Sequence, residues 1–171
     1  PFVPDITNTE VAAAADASLA QLAALEDENQ AMQRMAQGAA VLVAGLYRQG
    51  RIDGLLALGG TMGTDLALDA AAALPLGVPK LVVSTIAYSH LVPAPRIPAD
   101  LMMVLWSGGL YGLNSLCRSS LAQAAGAIVG ACRLARPPKF ERPLVGITSL
   151  GCSVLSYMKR LKPALEARGY E

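Results

Sequence analysis

The sequence predicts an α/β protein: a three-layer, Rossmann-like parallel sheet flanked by helices. Thirty alanines and 26 leucines make up a third of the 171 residues, while only eight residues are aromatic. That bias favours tightly packed helices over sandwiches and barrels. Short apolar runs of strand length alternate with longer segments of helical period, the alternation that builds parallel sheets. Glycine pairs follow two of the runs, at Gly59-Gly60 and Gly108-Gly109, where a strand must turn sharply into the next element.

Taken in order, Thr7 with Glu10 three residues later spells a capping box, opening an alanine-rich helix to about Ala15. A second short helix is expected near Leu19 to Leu25. Asp27 caps a longer one, in which Met32, Met35, Ala36, Ala39, Val43, Leu46 and Tyr47 recur at helical spacing and Gly50 ends it. Its apolar stripe calls for a sheet to cover. Asp53-Gly54 turns into Leu55 to Leu58, an apolar run expected to be a strand buried on both faces. Thr64 to Leu74 reads as a helix, and Gly77 and Pro79 punctuate the return to a second buried strand, Leu81 to Ile86. After a loop with Pro93, Pro95 and Pro98 comes a third run, Leu101 to Trp106, then a helix capped by Asn114 and reaching Leu134. Leu144 to Thr148 is expected as a fourth strand, and Val154 to Arg168 as a last helix, kinked or restarted at Pro163. Residues 1–136 form a first α/β subdomain lacking its first strand, 137–142 a linker, and 143–171 the start of a second subdomain.

Charged residues are only 16% against 53% hydrophobic, well under the roughly 25% charged of an average soluble protein. Part of the surface is therefore expected to be buried in a subunit or subdomain interface, as in a homo-oligomer. In the long helix Ala122, Gly126 and Gly130 recur every fourth residue, a stripe that lets the sheet or a second subunit approach closely. The longest uncharged stretch, Leu101 to Cys117, contains three glycines, an asparagine and two serines, short of the ~20 apolar residues that span a bilayer. A soluble protein with no membrane partner is expected. Three cysteines without CxxC spacing indicate neither a disulfide framework nor a metal site and fit a reducing cytoplasm. Residues 1–79 carry three basic and nine acidic side chains, and residues 80–171 carry eleven and four. The basic half suits an anionic ligand, but its cations are not interleaved with aromatics, so nucleic acid is not the expected partner.

The sharpest local signal is Leu58-Gly59-Gly60-Thr61-Met62-Gly63-Thr64, because it joins a strand to a helix N-terminus. Glycines expose consecutive N–H groups there, and the helix adds partial positive charge, a combination that holds phosphate. It is neither the GxxxxGK[ST] loop nor the GxGxxG fingerprint. Ser84 and Thr85, Ser107 with Gly108 and Gly109, and Thr148 with Ser149 stand where strands end, the edge at which open sheets bind ligands. His90 is the one histidine and the weak candidate for a general base, with Tyr88 or Ser89 beside it. No catalytic residue is assigned, and whether the protein is an enzyme stays open.

The chain resembles the Tm-one-like ATP-binding domain family, named after a tomato mosaic virus resistance protein. The likeness rests on Arg51-Ile-Asp-Gly, the Leu58 to Thr64 turn, Leu76-Gly-Val-Pro-Lys-Leu-Val-Val-Ser-Thr, Gly112-Leu-Asn, Ala124-Ala-Gly-Ala, Pro143-Leu-Val-Gly-Ile-Thr and Leu165-Glu-Ala-Arg-Gly-Tyr-Glu. The resemblance implies an N-terminal fragment of a two-subdomain region, ATP with Mg as cofactor, and a dimer. Met62 stands where the family's turn has glycine, and Tyr88-Ser89-His90 where it has a Ser-Gly-Asp type segment, marking a divergent subgroup. The reading that follows is a nucleotide- or phosphate-binding protein whose small phosphorylated ligand is held by Gly59, Gly60, Thr61, Gly63, Thr64, Ser84 and Thr85. Asp65 is expected to point away or to share a metal ion with the phosphates. The alternatives are an enzyme acting on a phosphorylated or carboxylate metabolite, and a non-catalytic oligomerisation domain.

Overall fold

The structure, a computed structural model, describes residues 3–106, 112–148 and 151–171. It divides into two compact units, Pro1–Pro137 and Pro138–Glu171. The first unit opens with three helices whose starts were written locally. Thr7 and Ser18 both form capping boxes, at α1 (Asn8–Ala13) and α2 (Leu19–Ala23). The Asp27 carboxylate accepts from the Asn29 and Gln30 N–H groups to open α3 (Glu28–Arg48). Such a side-chain cap supplies about 1 kcal/mol each by satisfying N–H groups that have no helical partner. Gly50, at φ +67°, lets the chain leave α3.

The sheet follows: β1 (Leu55–Gly59), β2 (Lys80–Ser84) and β3 (Leu101–Leu105), parallel and in the order β1-β2-β3. Leu55 pairs with Lys80, and Lys80 with Leu101, so the three strands run in step to Gly59, Ser84 and Leu105. The helix α4 (Thr61–Ala72) connects β1 to β2, and α5 (Ser115–Leu134), capped by the Asn114 side chain, follows β3. On the α5 face, Leu81, Val83, Ala124 and Ile128 form a buried core joined by Val104, Trp106 and Cys132. On the other face α4 lies against β1 and β2, and α3 lies against α4. Buried Leu68, Leu81 and Val82 are typical of this core, each contributing about 1.5–3 kcal/mol by leaving water.

Three expectations change here. Only the middle strand is buried on both faces: all five residues of β2 are buried, whereas β1 alternates, with Leu56 and Leu58 exposed. Within the described sheet β1 pairs on one side only, with β2, whereas β2 is flanked by a strand on each side. The stripe of α3 is covered chiefly by α4 and α1 rather than by a sheet. Gly38 permits that packing, since a Cβ there would lie 1.9 Å from the Val11 carbonyl oxygen. In α5 the buried positions are Cys117, Ala124 and Ile128. Ala122 and Gly126 are exposed, and a Cβ on Gly126 or Gly130 would meet nothing within 4 Å. The stripe of small residues is therefore not what lets the sheet approach.

In the second unit a 3-10 turn, Gly151–Val154, leads into α6 (Leu155–Glu166). The expected strand at Leu144 to Thr148 does not form. Those residues are exposed and irregular, and their ladder reduces to Val145 N–H on the Glu171 carbonyl and Glu171 N–H on that of Pro143. A strand exists only through a neighbour that accepts its hydrogen bonds, and among the described residues this segment has none beyond that bridge. The helix runs through Pro163 without a break. Among the described residues no helix is long and apolar enough to cross a membrane.

Candidate functional site at the turn from β1 to α4

The glycine turn is shorter than its sequence suggests. Gly59 ends β1, Gly60 is the N-cap, and α4 begins at Thr61 rather than Thr64. The first helical bond runs from Thr64 N–H to the Gly60 carbonyl at 2.8 Å, so the N–H groups of Thr61, Met62 and Gly63 precede the helical ladder. No side chain caps this terminus. The other four helices of the first unit each have one, from Thr7, Ser18, Asp27 and Asn114. The terminus carries about half a positive charge, and Thr61, Met62 and Gly63 are exposed.

The three glycines do different things. A Cβ on Gly59 would lie 2.6 Å from the Gly63 carbonyl carbon and 2.8 Å from Thr64 N, so Gly59 is there for the close crossing of strand end and helix start. On Gly60 the nearest atom would be Thr85 Oγ1 at 3.7 Å, and on Gly63 the Leu58 carbonyl oxygen at 3.7 Å, both ordinary contacts. Thr64 and Ser84, expected at the ligand, are buried, with their hydroxyls 2.6 Å apart. Ser84 Oγ also accepts from Ile86 N–H at 3.1 Å. They fasten α4 to the end of β2 and present no free hydroxyl to a ligand. Thr85, by contrast, is exposed beside Gly60.

A crevice of about 100 Å³ opens on the α4 side, lined among others by Asn29, Thr61, Met62, Asp65, Ile86 and Leu91. Asp65 does not present a bare carboxylate to it. It is paired with Arg96, whose guanidinium also donates to the Asp65 carbonyl at 3.3 Å and to Asp69 at 2.6 Å. Arg96 thereby pins the segment after β2 to α4. Burial pushes the Asp69 carboxyl above the ordinary carboxylate range. The same segment is held at Tyr88, which has φ +63° and whose hydroxyl donates to the Met103 carbonyl at 2.5 Å. His90 is exposed there and makes no hydrogen bond or ion pair with the described residues. Ser107, Gly108, Gly109 and Ser149 lie outside the described residues, and Thr148 belongs to the second unit.

A second cleft, of about 300 Å³, lies on the α5 side of the turn and is lined by Leu58, Gly59, Val83, Thr85, Trp106 and Leu121. Sequence reasoning missed it, and missed Arg96 as well. The one available signal was a lone tryptophan closing an apolar run. Far from both clefts in sequence register, at the opposite end of the strands, buried Lys80 donates to Asp100 at 2.5 Å and to the Pro75 carbonyl at 2.8 Å, while Gly77 N–H donates to the same carboxylate at 2.6 Å. That pair belongs to the framework. Among the described residues no group of three His, Cys, Asp or Glu side chains converges as a metal site would require.

The comparisons with known proteins agree on a family. The N-terminal domain model of the uncharacterised protein family UPF0261 matches residues 1–137. A UPF0261 protein of Brucella suis is 58% identical over 171 residues, covering 100% of this chain and 41% of the relative. One from Brucella melitensis is 57% identical over the same span, and one from Clostridium tetani 34% identical over 169 residues, 98% of this chain and 41% of the relative. The chain thus spans about two fifths of the length of these relatives. With its α/β sheet and most of its length accounted for by that domain, the chain belongs to the UPF0261 family.

Proposed function

We propose that this region binds a small phosphorylated ligand of the nucleotide or phosphate class through the N-terminus of α4. The observation that carries the reading is the uncapped start of that helix: Gly60 offers no side-chain acceptor, and the N–H groups of the exposed residues Thr61, Met62 and Gly63 precede the helical ladder. A phosphate oxygen supplies the acceptor that Thr7, Ser18, Asp27 and Asn114 supply elsewhere, and gains from the helix dipole. Thr85 stands ready to add a hydroxyl. Pairing with Arg96 mutes the repulsion that Asp65 would otherwise exert. The sequence resemblance to the Tm-one-like ATP-binding family supports the same reading. A magnesium ion arriving with the phosphates would find Asp65 as the carboxylate among the described residues lining the crevice, and would share it with Arg96 or displace that guanidinium.

The test is Gly60→Asp in the full-length protein. At φ −82° and ψ −151° the position accepts any residue, and its nearest neighbour is 3.7 Å from the new Cβ. The introduced carboxylate caps the helix itself, leaving the folded state at least as stable as before, and places a negative charge where the ligand's would be. ATP or inorganic tripolyphosphate at 100 times its dissociation constant raises the stability of the unaltered protein by about 2.7 kcal/mol. The Gly60→Asp protein loses that shift. Equal shifts in the two proteins would remove α4 from consideration.

A further inference from the structure

We propose that a groove between α3 and the C-terminal end of α4 binds an apolar carboxylic acid, an acyl chain carrying one carboxylate. The groove has a volume of about 530 Å³, and Ala40, Val41, Ala44 and Arg48 of α3 line it together with Ala73 and Pro75 at the end of α4. That volume is within the range of small-molecule sites. The site is separate from the turn between β1 and α4, because Thr61 and Ala73 stand at opposite ends of α4, about 18 Å apart by the helical rise. From Gly38 to Tyr47 α3 carries no charged or amide side chain, so this length of helix is apolar on every face, a composition that belongs to a helix covered on every face. Its cover here is partial. Both α4 and α1 pack against it, yet within α3 only Ala36 and Gly38 are buried, and Val41 is 55% exposed.

The order of groups along the groove selects the occupant. Ala40, Ala44 and Arg48 recur every fourth residue and so form one line along the helix, apolar over its length and cationic at its end. Arg48 is exposed and has no counter-charge: among the described residues it enters none of the ion pairs. Its Nε donates to the Ala44 carbonyl at 3.3 Å, which ties the guanidinium to its own helix and leaves the two Nη groups to fork a carboxylate, the arrangement in which arginine binds that group best. A carboxylate at Arg48 sends the acyl tail back past Ala44 to Val41 and Ala40, where small side chains on α3 and at Ala73 leave the space between the two helices unfilled. The ring of Tyr47 adds apolar surface beside the head group. A phosphate or a sugar at the same place would leave Val41 and the alanines in water, and a plain hydrocarbon would leave the guanidinium without a partner. An acid with an apolar tail satisfies both ends, through charge at one and burial along the rest.

The test is calorimetry of octanoate, octanol and octylamine, each kept below its aggregation limit, on the full-length protein and on its Arg48→Gln and Ala44→Leu variants. Octanoate is expected to bind, octanol to bind about tenfold more weakly, the order set by charge-assisted hydrogen bonds to one guanidinium, and octylamine not to bind. Arg48→Gln lowers octanoate to the level of octanol, and because Arg48 is exposed in the last turn of α3 the variant keeps its fold, as circular dichroism would show. Ala44→Leu fills the groove and removes the binding of both. Octanoate and octanol binding alike, or octanoate indifferent to Arg48→Gln, overturns the carboxylate assignment. Binding that survives Ala44→Leu puts the ligand elsewhere and overturns the site. Binding of none of the three overturns the proposal and marks the groove as covered by polypeptide in the full-length protein. Inorganic tripolyphosphate and Gly60→Asp are both expected to leave the octanoate affinity unchanged, so that this proposal and the α4 reading can fail separately, whereas competition between octanoate and tripolyphosphate overturns the separateness of the site.

Discussion

Two glycines four residues apart in one turn are expected to respond to the same substitution with opposite sign. Gly59→Ala places a methyl group 2.6 Å from the Gly63 carbonyl carbon, 2.7 Å from Gly63 Cα and 2.8 Å from Thr64 N. All three are backbone atoms of the first turn of α4, so no side chain can swing away, and the helix start must shift off the end of β1. The cost expected for such overpacking is about 1–3 kcal/mol, nearer the upper end because the same movement strains the buried Thr64–Ser84 hydroxyl contact at 2.6 Å. Gly63→Ala adds its methyl group no closer than 3.7 Å to any atom, the Leu58 carbonyl oxygen. Inside a helix that change removes part of glycine's conformational freedom in the unfolded chain, worth up to about 1 kcal/mol. Equilibrium unfolding in urea, followed by circular dichroism, separates the two variants by roughly 2–4 kcal/mol. Equal destabilisation by both would refute the assignment of Gly59 to packing, and would return both glycines to a common role in the turn.

The remaining predictions concern the groups that hold the site in place. Ser84→Ala deprives Thr64 Oγ1 and Ile86 N–H of their buried partner and should cost about 1–3 kcal/mol of unfolding free energy; a change near zero would show that these hydroxyls face a ligand or water instead. Asp100→Ala leaves the Lys80 ammonium buried with the Pro75 carbonyl alone and should cost about 3–5 kcal/mol at neutral pH. Burial works to raise the Asp100 carboxyl, but the Lys80 and Gly77 hydrogen bonds and the Lys80 charge outweigh it and hold the group below its ordinary value. A lowered folded-state pKa means that the unfolded chain binds the proton first. The stability this carboxylate contributes is therefore complete above the ordinary carboxylate range and is lost as pH falls through that range towards the lowered value. The gap between the unaltered protein and Asp100→Ala should narrow over that acid interval, and a pH-independent gap would contradict the pairing.

The starts of α1, α3 and α5 and the three strands of the sheet were legible in the sequence because their causes are local, whereas α4 starts three residues before the expected Thr64. Thr7 with Glu10 makes its capping box three residues apart, and Asp27 caps α3 with Asn29 and Gln30. Likewise the apolar run expected as a strand at Leu81 to Ile86 lies between turn residues and has few other uses, and the strand forms there as Lys80–Ser84. Leu144 to Thr148 shows where such reasoning fails. Its pattern is equally strand-like, but a strand is a relation between segments, and no described neighbour extends its ladder.

At the site the division is sharper. The Leu58 to Thr64 segment by itself determined that a glycine-rich turn would join a strand to a helix, and glycine at the N-cap settled that no side chain would satisfy the first N–H groups of α4. Only the tertiary structure decided which polar groups stay exposed at the turn. It turned Thr64 and Ser84 inward against each other, 20 residues apart in sequence, left Thr85 outside beside Gly60, and brought Arg96 onto Asp65 and Asp69 across a gap of about 30 residues. It also set Trp106 on the same cleft as Leu58, across the end of β2, through the strand order β1-β2-β3. Caps and turns depend on neighbours three or four positions away, whereas the direction a hydroxyl or an indole faces depends on which distant backbone lies behind it.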